Sequence, residues 1–192
     1  MTEAPTLTSQ QIIRLKAAGD PVGPDEERTV HRHVITVLLE NSIGALNRVI
    51  NMFSARGFNL ESVSVGETDT PEISRLTVVT TGSDRIIAQV MRQLTNLVDT
   101  LMVDDVTGTA HVERELCLIQ VRYTTESRPA LMDIVSIFRG NVINITPETM
   151  TFEVTGPTTK VSAFVGMMKP HGITEIARSG RVAMRRELAF GD

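Results

Sequence analysis

The sequence predicts an α+β protein built from two successive units, each with the order strand, helix, strand, strand, helix, strand. Short apolar runs rich in β-branched residues alternate with stretches whose apolar residues recur every three or four positions. Turns rich in Gly, Pro, Asp and Ser separate these runs. The same six-element order occurs twice within 192 residues, which predicts two small domains of similar plan.

Residues 1–32 differ from the remainder because Pro and Gly interrupt them repeatedly and a polar run closes them. We expect a flexible leader that holds one short helix. That helix is predicted to run from Ser9, as its cap, to Ala18, and to end at Gly19. A solvated tail is the ordinary interpretation of such a segment, and a helix that docks on a partner is the alternative.

Residues 33–107 are predicted to form the first domain. Its strands are marked by β-branched residues and alternation, and its helices by apolar residues at helical spacing. In order, the predicted elements are a strand over Val34–Leu39, a helix over Leu46–Phe53 that ends at Gly57, strands over Asn59–Val65 and Ile73–Thr81, a helix over Ile86–Leu94 and a last apolar stretch over Val98–Val106. This order is the split βαβ, ferredoxin-like plan.

Residues 108–115 are predicted to be a linker, and residues 116–192 to form a second ferredoxin-like domain. The second copy shares the order and spacing of the first more than its residues. In order, the predicted elements are a strand over Leu116–Tyr123, a helix over Ala130–Phe138, strands over Val142–Ile145 and Met150–Thr155, a helix over Val161–Met168 and a strand over Ile173–Ala177. Together the two copies predict tandem βαββαβ domains.

Composition limits the classes of function. Apolar residues make up 41% of the chain and its net charge is −4, so a buried core is expected and a basic surface for nucleic acid is not. No apolar run approaches the ~20 residues that span a bilayer, and the first residues lack the pattern of a signal peptide. With its single cysteine, Cys117, the protein is expected to be cytoplasmic.

Candidate catalytic residues are few. His31 and His33 share one face of an extended strand, but no third ligand follows at a recognised metal spacing, which favours histidines on the surface. Cys117 lies in an apolar strand with no assignable base, which favours a core residue. The alternating charges of Glu113–Glu115 favour a solvated or interdomain ion cluster over an acid/base pair. Neither catalysis nor a metal site is expected.

A binding site is better supported, at the loop Glu40–Ala45 between the first strand and the first helix. Its N–H groups lie at a helix N-terminus, where unpaired donors and the helix dipole favour a carboxylate. Gly44 permits close approach of a ligand, while Asn41 and Asn59 offer amides to an ammonium or a carboxylate. Together with an aliphatic wall, these groups predict a pocket for a small aliphatic amino acid. The wall is predicted from Ile43, Leu46, Leu60 and Val63.

A second interpretation of the same residues involves no ligand. Asn41 or Ser42 would then cap the helix, Gly44 would relieve crowding and Asn59 would serve the preceding turn. Helix caps are far more common than ligand loops, so the pattern alone favours this interpretation.

The loop also belongs to a longer run of motifs with a recognisable family likeness. The motifs of this run are Val37–Val49, Phe53–Ser62, Ser74–Thr77, Gln93–Asp99, His111–Leu116, Ile137–Gly140 and Ala177–Gly180. Through them the sequence from residue 33 onward resembles the ACT domain and the following region of the small regulatory subunit of acetolactate synthase (acetohydroxyacid synthase).

The resemblance implies a non-catalytic subunit of branched-chain amino acid biosynthesis that activates a large catalytic subunit. It also implies allosteric feedback inhibition by valine, and in some relatives by isoleucine or leucine. Thiamine diphosphate, Mg2+ and FAD would belong to the catalytic partner. The effector would bind between two ACT domains of a homodimer, at the positions of Asn41, Gly44, Ala45, Asn59 and Gly66.

Two other classes of function remain open at this point. A free-standing ACT-domain sensor would regulate another enzyme or transcription, although no helix-turn-helix pattern is visible and the charge is acidic. A small enzyme would need a catalytic constellation that the sequence does not display.

Overall fold

The computed structural model describes residues 30–186, so the helix predicted over Ser9–Ala18 lies outside the described residues. Within that range the chain divides into two compact units. The first unit ends at Ala110 and the second runs from His111 to Arg186. None of the helices in residues 30–186 has both the length and the apolar composition needed to cross a bilayer.

The first unit is an antiparallel four-stranded sheet with two helices. Its sheet has the order β2-β3-β1-β4, so β2 and β4 are the edge strands. This confirms the predicted ferredoxin-like plan. The elements are β1 (His31–Glu40), α1 (Ala45–Ala55), β2 (Leu60–Glu67), β3 (Ile73–Gly82), α2 (Asp84–Thr95) and β4 (Thr100–Asp105).

The core of the first unit forms where the helices pack on the sheet. Alternate β1 residues contribute to it, and the apolar stripes of α1 and α2 cover them. Its fully buried members include Ile35, Val37, Val49, Phe53, Val90 and Leu94. Val34 and Thr36, which point to the opposite face of β1, are buried as well. Burial on both faces explains why β1 reads as a continuous apolar run instead of alternating.

The second unit repeats the plan with the sheet order β6-β7-β5-β8. Its core is built around Ile119, Phe152 and Phe164, and the ring of Phe164 packs edge-on against Phe138. The elements are β5 (His111–Arg122), α3 (Arg128–Ile137), β6 (Asn141–Ile145), β7 (Thr149–Gly156), α4 (Thr158–Met168), a 3-10 turn (Lys169–His171) and β8 (Ile173–Arg185).

The structure corrects the predicted linker. Residues 111–115 are the first part of β5 and pair with residues 181–185, so β8 also extends well beyond the predicted end at Ala177. Glu115 is not solvated: it is buried, and Arg178 donates to it through Nε (2.5 Å) and Nη2 (2.9 Å). Alternating charges resemble a surface segment in sequence, whereas here opposite charges on neighbouring strands neutralise each other.

Candidate functional site

The candidate catalytic side chains do not form a reactive cluster. Cys117 is buried in the core of the second unit, and burial raises the pKa of its thiol, so the protonated form is favoured. His33 is not a surface residue as predicted; it is buried, and its Nδ1 lies 2.9 Å from a carboxylate oxygen of Asp105. No group of three or more His, Cys, Asp or Glu residues within 30–186 is placed to hold a metal ion.

The loop between β1 and α1 has a backbone that only glycine adopts easily. Gly44 has φ +86° and ψ −4°, the left-handed conformation, immediately before the first helical residue, Ala45. The backbone N–H of Asn41 donates to the carbonyl of Glu72 (2.7 Å), and that of Ser42 to the carbonyl of Glu40 (2.8 Å). The loop is thus fixed at its start by β1 and by the turn that precedes β3.

The predicted capping role of Asn41 or Ser42 is wrong. Within the described part of the chain, no side-chain hydrogen bond caps α1. The Asn41 amide and the Ser42 hydroxyl donate elsewhere, to Glu67 and Asp99 respectively. The N–H of Ala45, the first residue of α1, donates to the Ser42 carbonyl (3.2 Å). The N–H groups of Leu46 and Asn47, next in the first turn, keep their capacity to bind an acceptor, with the positive end of the helix dipole behind them.

The orientation of the Asn41 amide follows from its neighbours. Its Nδ2 donates to Oε1 of Glu67 (3.2 Å) and to the carbonyl oxygen of Pro71 (2.9 Å). Both neighbours are acceptors, so the nitrogen must face them. The Asn41 carbonyl oxygen is then the atom left to accept a hydrogen bond, while the Glu67 carboxylate lies on the nitrogen side of the same amide. Glu67 is the last residue of β2, and no motif or spacing in the sequence marks it as a site residue.

A buried carboxylate holds the other side of the loop. Asp99 precedes β4, and only 8% of its side chain is exposed. It accepts from the Ser42 hydroxyl (3.2 Å) and from Nε and Nη2 of Arg48 on α1, the latter at 2.7 Å. The Arg48 guanidinium, by donating these hydrogen bonds, holds the pKa of the Asp99 carboxyl below its usual range. Asp99 is a second residue of the site that the sequence does not mark.

The predicted aliphatic wall divides into two parts. Ile43 is fully exposed in the loop, and Leu46 is partly exposed in the first turn of α1. Leu60 and Val63 instead pack against the core of the unit from β2. A single copy of the chain therefore presents only the first pair of these side chains beside the loop.

Asn59 and Gly66 lie at opposite ends of the edge strand β2. Glu67 of β2 pairs with Ser74 of β3, and Ser74 pairs with Leu39 of β1. Gly66 therefore lies at the end of the sheet where the β1–α1 loop starts. Leu60 of β2 pairs with Thr80 of β3, and Thr80 pairs with His33 of β1. Asn59, which precedes Leu60, therefore lies at the other end of the sheet. The seven residue-to-residue steps from His33 to Glu40 span about 23 Å at ~3.3 Å per step. Within one copy, Asn59 is thus far from Gly44.

Two family models match most of this chain. Residues 35–102 match the "AHAS small subunit-like ACT domain", and residues 114–187 match "Small subunit of acetolactate synthase". The loop described above lies in the first match.

Individual proteins give the same result. The acetolactate synthase small subunit of Aquifex aeolicus is 48% identical over 163 residues, which are 84% of each chain. The isozyme 3 small subunit of Escherichia coli is 41% identical over 81% of this chain and 96% of its own. A solved structure, that of the acetolactate synthase small subunit from Thermotoga maritima, is 38% identical and has a TM-score of 0.76, covering 81% of this chain and 98% of that one.

Proposed function

The chain belongs to the small-subunit family of acetolactate synthase, and on that premise we propose that it activates the large catalytic subunit and subjects it to feedback inhibition by valine. In this proposal the chain is non-catalytic and cytoplasmic. Thiamine diphosphate, Mg2+ and FAD act in the catalytic partner.

The effector site is proposed to lie between two copies of the chain. The observation that carries this proposal is the separation of Asn59 from Gly44 along the length of β2. In the unit formed by residues 30–110, β2 is an edge strand. Antiparallel pairing of two β2 edges about a two-fold axis would bring Asn59 of a second copy to the Gly66 end of the first. A Cβ atom added at Gly66 would meet nothing within 4 Å, so that end of the strand is open.

The chemistry of the loop suits each part of valine. The N–H groups of Leu46 and Asn47 in the first turn of α1 are suited to the carboxylate, and the small residues Gly44 and Ala45 precede them. The Asn41 carbonyl oxygen, the Glu67 carboxylate and Asn59 of the second copy are suited to the ammonium. The exposed side chain of Ile43 would cover the isopropyl group.

A site at a seam between copies gives a physical route to regulation. Valine would favour the arrangement of the two units that completes its site, and an effector that bound all arrangements equally would regulate nothing. Coupling of about 1–3 kcal/mol corresponds to a change of about 5- to 150-fold in the linked equilibrium. Isoleucine and leucine differ from valine by one methylene, which aliphatic pockets discriminate by only ~1–3 kcal/mol.

Reconstitution tests the proposal. The purified large subunit, supplied with thiamine diphosphate, Mg2+ and FAD, is assayed for acetolactate formation with increasing amounts of this chain, with and without each branched-chain amino acid. We expect the rate to rise with the chain and to fall again with valine. A rate that the chain leaves unchanged would contradict the proposal. If valine still bound in that case, the free-standing sensor would be favoured.

A further inference from the structure

Asp99 accepts hydrogen bonds from the end of β1, from the β1–α1 loop and from α1. Its backbone carbonyl accepts the N–H of Glu40 (2.8 Å) at the end of β1. Its carboxylate accepts the hydroxyl of Ser42 within the loop and two N–H groups of Arg48 on α1. One residue, through its backbone carbonyl and its nearly buried side chain, therefore fixes the strand end, the loop and the helix start relative to one another.

The third nitrogen of the Arg48 guanidinium lies against Gly44. A Cβ atom added at Gly44 would lie 3.1 Å from Nη1 of Arg48, so the nitrogen occupies the space beside the left-handed glycine. Nε and Nη2 both donate to Asp99, which fixes the plane of the guanidinium. The side chain of Arg48 is 42% exposed although two of its three nitrogens donate to Asp99.

We propose that Arg48 is a binding residue for the carboxylate of the amino acid effector, and that Asp99 is the positioning residue that aims it. This inference rests on the proposed function and adds two residues to its site. A guanidinium fixed by one carboxylate is pre-organised to bind another without a further loss of side-chain freedom. The geometry also predicts that position 44 is sensitive to charge, because an aspartate there would place its own carboxylate against Nη1.

The experiment uses the full-length chain and two calorimetric probes, L-valine and L-valinamide. Valinamide keeps the ammonium and the isopropyl group but has no carboxylate charge. The variants are Arg48→Gln, Arg48→Lys and Asp99→Asn. The matched controls are Arg56→Gln, at the exposed far end of α1, and Asp69→Asn, in the exposed turn after β2. Thermal unfolding of every variant checks that it is folded.

For Arg48→Gln we expect valine affinity to fall about 10- to 150-fold, as for loss of a hydrogen bond to a charged group. Valinamide affinity changes little, so the preference for valine over valinamide disappears. Arg48→Lys retains the positive charge but not the planar set of N–H donors of the guanidinium, so it recovers part of that preference. Asp99→Asn lowers the preference while the charge of Arg48 remains. Both controls behave as the wild type.

The inference is overturned if Arg48→Gln binds valine as tightly as the wild type. It is also overturned if folded Arg48→Gln loses valine and valinamide affinity equally, since the pair would then only shape the loop. A wild-type chain that binds neither probe would instead remove the proposed function itself, and this inference with it.

Discussion

The two units share one fold, but their first strand-to-helix loops differ. In the first unit the residue before α1, Gly44, is left-handed, whereas in the second unit the residue before α3, Ser127, is right-handed; within the described chain neither helix has a side-chain hydrogen bond at its cap. In the second unit the loop before α3 closes on itself, because Ser127 Oγ accepts the N–H of Thr124 (2.8 Å) and the N–H of Ser127 lies 3.2 Å from Thr124 Oγ1. Pro129 also removes one N–H from the first turn of α3. Because the two units share one fold, the proposed anion site in the first unit depends on its loop and not on the duplicated plan.

Each unit also contains an Arg–carboxylate pair, and the two pairs connect different elements. Asp99 and Arg48 join the start of β4 to α1 beside the loop, whereas Glu115 and Arg178 join two paired strands of the second sheet. The first pair is placed to control the shape of a binding loop. The second holds a strand register.

The largest expected effect is that of Gly44→Asp. An aspartate at this position places a carboxylate beside Arg48 and in the space proposed for the valine carboxylate, so valine affinity falls more than about 100-fold. Calorimetry with valine measures it. Gly57→Asp is the matched control, because Gly57 also has a positive φ (+68°) but stands at the far end of α1 with open space around it. Equal losses in the two variants would mean that backbone strain, not the site, is responsible.

Asn59→Ala is expected to have the next largest effect. Removing the amide takes a partner from the valine ammonium and weakens binding by about 1–3 kcal/mol, since a buried donor is left unsatisfied. Activation of the large subunit is expected to persist if activation and inhibition use different surfaces. Wild-type calorimetric affinity in folded Asn59→Ala protein would place the ammonium elsewhere.

The Asp99–Arg48 pair predicts a particular dependence of stability on pH. Because the Arg48 hydrogen bonds lower the pKa of Asp99, the pair stabilises the folded state fully above the ordinary aspartate value of about 3.9 and loses this contribution as the pH falls through the lowered pKa. The free energies of unfolding of the wild type and of Asp99→Asn, measured in urea, are therefore expected to differ most at neutral pH and to become equal in acid. A difference that does not vary with pH would argue against the ion pair.

The smallest effect is expected from Ser127→Ala, in the loop of the second unit. It removes the hydroxyl that accepts the Thr124 N–H, at a cost of about 0.5–1.5 kcal/mol in unfolding free energy, and leaves valine affinity unchanged. Chemical unfolding and calorimetry measure the two quantities. A change in valine affinity would show that the second loop takes part in binding, which would remove the contrast between the units.

Much of the fold follows from local pattern. The helices, and the strands other than β5 and β8, are predicted to within a few residues because each buries one apolar stripe or face. The predicted linker fails at residues 111–115, whose pairing with residues 181–185 is a contact between distant parts of the chain that no local pattern contains.

The same limit applies to the site. Gly44 and Asn41 belong to one short loop and are visible in the sequence. Asp99 and Glu67 reach that loop only after β1 pairs with β4 and the turn after β2 closes on Asn41. Their roles depend on tertiary contacts, so neither residue type nor spacing reveals them.

In the proposed dimer, one valine site uses Gly44 of one copy and Asn59 of the other. Differently tagged Gly44→Asp and Asn59→Ala chains are co-expressed, and the mixed dimer is purified through both tags. Radiolabelled valine is then titrated at concentrations that fill the wild type and leave each variant alone nearly empty. If the site is shared, one of the two sites has both wild-type residues, and the mixed dimer recovers about half of the wild-type capacity. If both residues serve the same copy, neither site is intact and the mixed dimer binds no more valine than its parents, which would contradict the account.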